Sequence, residues 1–184
     1  LGQSQIMPYI LSIADHPRKL IVLSFEKDAL KYKQNEIKKK LKLKNIEWLS
    51  TAFSKKYGKV SKLIDVFKMC YFSLYLCKKY NVKIVHGRGM LPSIFGYMCK
   101  KLFHIYMIYD CRGLWPDERI DNKNWSLSNF IDRRIYYLLK KIDNILFINS
   151  DKIVVLTNKL ALYLNNSYNI DKKISVIPCA VDYN

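Results

Sequence analysis

The chain has 184 residues, half of them hydrophobic, with five cysteines and a net charge of +17. That length and apolar share suit one well-buried domain and exclude a disordered or fibrous chain. The charge favours phosphates, nucleic acid or an anionic membrane surface without choosing among them.

Taken in chain order, the sequence opens on a Gly2-Gln3-Ser4-Gln5 turn and an apolar helical pattern over 3–14. It begins where a βα loop would sit, so a first strand is expected to be missing. Glycine before a helix is an ordinary turn; it also suits a diphosphate, because free N–H groups and the helix dipole favour an anion there. A β-rich run at 20–25 (LIVLSF), a helical pattern at 28–42 and a second run at 46–51 follow. The helix over 60–79 opens with Ser61 and carries Leu63, Val66, Phe67, Cys70, Tyr71, Leu74 and Cys77 at helical spacing, a stripe expected to face the sheet.

A strand at 82–86 runs into His86-Gly87-Arg88-Gly89. Two glycines let the backbone turn sharply around an arginine, the side chain best shaped to grip phosphate or carboxylate. After a helix over 92–103 and a strand over 106–110 comes Asp110-Cys111-Arg112-Gly113-Leu114-Trp115-Pro116-Asp117-Glu118-Arg119, with Asp121 and Trp125 close behind. Such a dense mixture of charged, aromatic and turn residues reads as a functional loop. It also reads as a salt-bridged loop capped by buried tryptophans, and Trp115 and Trp125 could equally form an apolar platform for a sugar ring or a lipid-linked acceptor. Helices over 127–146 and 158–168 and strands over 152–156 and 174–177 complete the alternation. Short strands between longer helices predict an α/β fold, a Rossmann-like parallel sheet with helices on both faces. The loops following its strands share the edge where open α/β sheets bind ligands.

Other signals are weaker. The five cysteines contain no Cys-x-x-Cys pair, which speaks against a disulfide framework or structural zinc and for reduced thiols in a cytosolic protein. His16, His86 and His104 lack metal-ligand spacing, and no metal site is expected. A Cys111 and His86 nucleophile pair is conceivable because both sit at strand ends. Gly58-Lys59-Val60-Ser61 lacks the upstream glycine of a phosphate-binding loop. No stretch reaches the roughly 18 to 20 apolar residues of a membrane span, and no helix-turn-helix, RNA-recognition or zinc signature supports nucleic-acid binding.

In order, GQSQ, VHGRG, YDCRGLWPDER, DKIVVLT and ISVIPCAVD resemble the N-terminal domain of glycosyltransferase family 4 enzymes across nearly the whole chain. The final turn, Cys179-Ala180-Val181-Asp182, departs from the family's Asn-Gly-Val-Asp. The resemblance implies one half of a GT-B enzyme that retains configuration at the sugar and uses no metal or other cofactor. Its donor would be a nucleotide-sugar, and its acceptor a glycan or lipid-linked species in envelope polysaccharide synthesis. The chain, 1–184, would be the single acceptor-side domain; a donor-binding domain with paired glutamates would lie beyond it, so the chain alone is expected to be inactive. Residue by residue, Gly2 and Gln5 correspond to the loop near the donor phosphates. Asp110 falls where many relatives carry a histidine near the reacting sugar, which makes it the candidate catalytic residue; it would either orient the acceptor hydroxyl or pair with Arg112. His86, Arg88, Arg112, Asp117 and Glu118 are candidate acceptor contacts. The implied location is cytoplasmic, with peripheral contact at the inner face of an anionic membrane. The competing reading is a non-catalytic Rossmann-like module that binds an anion or nucleic acid.

Overall fold

The computed structural model describes residues 6–14, 19–26, 31–54, 59–170 and 173–178. Gly2, Gln5 and the 179–182 turn lie outside them. Among the described residues the order is α1 (Ile6–Ala14), β1 (Leu20–Glu26), α2 (Lys31–Leu43), β2 (Ile46–Ala52), α3 (Lys59–Tyr80), β3 (Ile84–Arg88), α4 (Met90–Phe103), β4 (Tyr106–Cys111), α5 (Trp115–Asp121), α6 (Phe130–Asn149), β5 (Lys152–Val155), α7 (Asn158–Tyr168) and β6 (Ile174–Val176). Every strand pairing among them is parallel. The fold is α/β and Rossmann-like, with each of the six expected strands in place.

The turns between helix and strand use residues that tolerate left-handed backbone. Asn45, Asn81, His104 and Asn169 follow α2, α3, α4 and α7 with φ of 57°, 49°, 52° and 51°. Asparagine adopts this conformation more readily than other non-glycine residues. At the opposite ends, Asn129 accepts from the N–H groups of Ile131 and Asp132, and Thr157 accepts from Leu160 N–H, so α6 and α7 start on side-chain caps. The Asn129 cap moves the start of α6 to Phe130, a few residues beyond the expected 127.

Contacts divide the described chain into two compact units whose boundary falls at Phe72 and Ser73, inside α3. In the first, β1 pairs with β2 from Leu20↔Ile46 to Glu26↔Ala52. Met7 and Ile10 of α1, Leu41 of α2, and Ile46 and Trp48 of β2 form its core. The stripe expected to face the sheet from α3 is instead largely exposed over its first part: Leu63, Phe67 and Tyr71 are 59, 72 and 63% exposed. Polar contacts favour a different face of the helix. Ser54 N–H lies 3.0 and 3.1 Å from the Asp65 carboxylate oxygens, and Lys68 Nζ donates to Ser54 Oγ at 2.9 Å. At the far end of α3, Cys77 is buried and Leu74 packs against its cluster, so that end of the stripe is core.

In the second unit the strand order is β3-β4-β5-β6. Each crossover advances one strand in the same direction, and parallel crossovers are right-handed, so α4, α6 and α7 fall on one face. The core shows it: Met107, Tyr109, Cys111, Ile153 and Val155 from alternate strand positions pack with Met90, Leu146, Phe147 and Leu164 from those helices. Burying each such large side chain stabilises the unit by about 1.5–3 kcal/mol. Strand side chains alternate between faces. The register Ile84↔Tyr106, His86↔Ile108, Arg88↔Asp110 therefore puts His86, Arg88 and Asp110 on the opposite face from this core.

Candidate functional site

The site is assembled by a close approach of backbones. β3 ends at Arg88, and Gly89 turns the chain into α4 with φ 81°. Gly89 N–H donates to Asp110 O at 2.8 Å, tying the turn to the end of β4. Ser93, fully buried, places its hydroxyl 2.9 Å from Gly87 O and 2.7 Å from Gly89 O, so the first turn of α4 presses on the end of β3. Ser93 carries no motif of its own in the sequence. Its signal was the short, glycine-rich passage from strand to helix, where a small hydroxyl can replace a missing backbone partner.

Asp110 is the centre of the arrangement. It is 5% exposed, and three basic side chains from two strand ends converge on it. Arg112 lies 3.6 Å from Oδ1; His86 Nε2 and Arg88 Nε lie 3.7 and 4.0 Å from Oδ2. Oδ1 is buried without a hydrogen bond among the described residues. The guanidinium groups are about a fifth to a quarter exposed and the imidazole nearly half, so the anion sits at the bottom and the cations reach outward. A buried carboxylate beneath two arginines fixes their planes and leaves excess positive charge, a pattern suited to an anionic or hydroxyl-rich ligand. Arg112 is within ion-pair reach of Asp110.

The segment expected to be a loop contains α5, which Pro116 opens near its first position. Both Asp117 oxygens are engaged by α6, one by Tyr136 Oη and the other by Lys140 Nζ, each at 2.8 Å. Asp117 thus fastens α5 to α6 and is not gathered with the residues around Asp110. Glu118 turns its carboxylate onto the Gly113 backbone, where an added Cβ would overlap Oε1. Trp115 and Trp125 meet edge to face at 5.7 Å, and Arg119 lies 5.1 and 5.9 Å from their ring centres. The tryptophans therefore pack against one guanidinium, but Trp115 is 39% exposed, so they are not the buried cap of the salt-bridged-loop reading.

Cys111 and His86 do not pair, because they project from opposite faces of the sheet. Cys111 is in the core, and burial, with the nearby Asp143 charge, pushes its thiol up to about 12. On that same side Tyr109 Oη donates to Asp143 Oδ1 at 2.8 Å. Burial raises both groups, Asp143 to about 6, and Oδ2 of Asp143 has no hydrogen-bond partner among the described residues. The stability consequence has a definite sign. The charged carboxylate is disfavoured in the folded state, so its penalty is full above about pH 6 and is relieved as pH falls towards 3.8, the unfolded value. Asp143→Asn removes this titration. Between pH 7 and 4, unfolding by urea is expected to show wild type gaining about 2 kcal/mol on the variant, at about 1.4 kcal/mol per pKa unit. A difference between the two proteins that stays constant over that range contradicts the assignment.

Among the described residues no three His, Cys, Asp or Glu side chains gather into a group that could hold a metal ion. No described helix is long and apolar enough to cross a membrane.

Residues 46–184 match the model of Glycosyltransferase Family 4. No curated protein matches the sequence. Among solved structures, the chain is similar to one titled "Crystal structure of Anabaena Alr3699/HepE in complex with UDP and glucose", with a TM-score of 0.53 and 11% identity. The similarity covers 96% of this chain and 41% of that one, so the chain spans less than half the length of the protein whose fold it shares.

Proposed function

Because the chain belongs to glycosyltransferase family 4, we propose that it supplies the acceptor-side half of a two-domain GT-B enzyme that transfers a sugar from a nucleotide-sugar to a glycan or lipid-linked acceptor. The observation that carries this reading is the convergence of His86, Arg88 and Arg112 on buried Asp110, at the strand ends where open α/β sheets hold ligands. The UDP and glucose named with the Anabaena protein favour a nucleotide-sugar as donor.

The chemistry requires a sugar that becomes cation-like and a nucleoside diphosphate that accumulates negative charge as it departs. In this reading Arg88 and Arg112 hold the acceptor, with Asp110 fixing their orientation and His86 at the exposed rim. Asp117 and Glu118 support the α5 segment, and the family resemblance assigns Gly2 and Gln5 to the donor diphosphate. The family resemblance supplies the further expectations of retained configuration, no metal or other cofactor, and a role in envelope polysaccharide synthesis at the cytoplasmic face of the membrane. Peripheral membrane contact is favoured by α6, which leaves Ile131, Leu138 and Ile148 exposed alongside exposed Arg134 and Lys141.

One domain cannot enclose a dry cleft, and transfer is expected to need the second half. The test compares this chain with a version extended through the downstream sequence, using a panel of nucleotide-sugars and envelope acceptors. Turnover by the extended form alone is the expected result; equal turnover by the short chain overturns the placement of the donor site.

A further inference from the structure

The second unit holds a pair of thiols that the proposed sugar transfer does not use. Cys77, in the last turn of α3, and Cys99, one turn before the end of α4, share a small buried cluster with Ile105. They are 7 and 0% exposed and pack together in that cluster. Cys77 also lines a cavity of about 440 Å³ whose other walls include Lys78, Lys83 and His104.

We propose that Cys77 and Cys99 form a redox-active dithiol, which a small disulfide entering this cavity converts to a disulfide bond joining α3 to α4. The cavity gives an approach to Cys77, its lysines suit an anionic reagent, and Cys99 is placed behind Cys77 to complete the exchange. The neighbouring Cys99 thiol holds Cys77 below the usual thiol value despite the opposing effect of burial. Cys111 has no such advantage, since burial holds its thiol high.

The steps balance without any further oxidant. The Cys77 thiolate attacks one sulfur of the small disulfide, and the other half leaves as a thiolate. The Cys99 thiolate then attacks the Cys77 sulfur of the mixed disulfide and expels the second half. Two small thiols are released, carrying the two protons and the two electrons lost by the protein. The new bond closes a loop that contains all of β3, including His86 and Arg88, so the oxidation state constrains the strand that carries part of the site. Such transient pairs are the form disulfides take in a reducing compartment.

The test is incubation of the native protein with oxidised glutathione, followed by intact-mass measurement and peptide mapping under non-reducing conditions. The expected product has lost two hydrogen atoms, links the Cys77 and Cys99 peptides, leaves Cys111 as a thiol and reverts with a reducing dithiol. In Cys99→Ser, Cys77 is expected to stop at the glutathione adduct. The proposal is overturned if peptide mapping finds a persistent glutathione adduct on Cys77 in the native protein, or if Cys77 and Cys99 react only after unfolding.

Discussion

Replacing Asp110 with asparagine in the enzyme extended through its second half is expected to lower kcat/KM for sugar transfer by about 10²-fold, the scale of losing one preorganised electrostatic element. Asparagine matches the shape of aspartate and removes its charge. Arg88, Arg112 and His86 all lie within 4.0 Å of the carboxylate. Without the anion, two guanidinium groups repel across a space where they were held together. Asp110→Ala adds a stability loss of about 2–3 kcal/mol. That is less than the 3–5 kcal/mol of a fully buried pair, because the arginines remain partly solvated and screened. Circular dichroism melts separate the two variants: the asparagine form should stay folded at assay temperature. A folded Asp110→Asn enzyme with unchanged kcat/KM shows that the carboxylate does not organise the site.

Gly87→Ala is expected to destabilise the protein by about 3 kcal/mol, at the upper end of overpacking costs. An added Cβ would stand 2.5 Å from Ser93 Oγ, 2.6 Å from Ser93 Cα and 2.8 Å from Ser93 N. Two of these are backbone atoms of α4, so a side-chain rotation cannot clear the space. The end of β3 must move away from α4, and Arg88 moves with it. Gly96→Ala is the control within the same unit. Its Cβ would meet Met107 Cε at 3.6 Å and the Val85 methyls at 3.7 Å, ordinary contact distances, inside a helix where alanine is favoured. It should be neutral or stabilising by up to about 1 kcal/mol. Urea midpoints of the two variants test the close approach directly, and equal effects would show that the β3–α4 contact has no special constraint.

The strands were legible because short apolar, β-branched runs such as Ile153-Val154-Val155 between helical patterns have few other interpretations. Their neighbours were less so. The sequence marks six strands, but the pairing of β1 with β2 in one sheet and β3 to β6 in another depends on contacts between distant residues. Helix α3 misled because it is apolar on more than one side, and Asp65 and Lys68, which turn to Ser54, decide its orientation. Helix α5 was hidden because its seven residues carry a proline in second place and four charges, which conceals any helical period. Arg88, Arg112 and Asp110 were readable as strand-end residues on one edge of a parallel sheet, and register brings them together. Asp117 was not, since its partners Tyr136 and Lys140 are 19 and 23 residues away. Asp143 was likewise concealed, being one polar position on the buried side of α6.

The most direct test of the acceptor-side assignment is steady-state kinetics of Arg88→Ala and Arg112→Ala in the extended enzyme, varying donor and acceptor separately. Each lost charge-assisted contact should raise the KM for the acceptor by about 10-fold or more, on a scale of about 1.5–3 kcal/mol per contact, while the KM for the nucleotide-sugar stays within experimental error. A rise confined to the nucleotide-sugar KM, with acceptor KM unchanged, contradicts the assignment and moves the cluster to the donor.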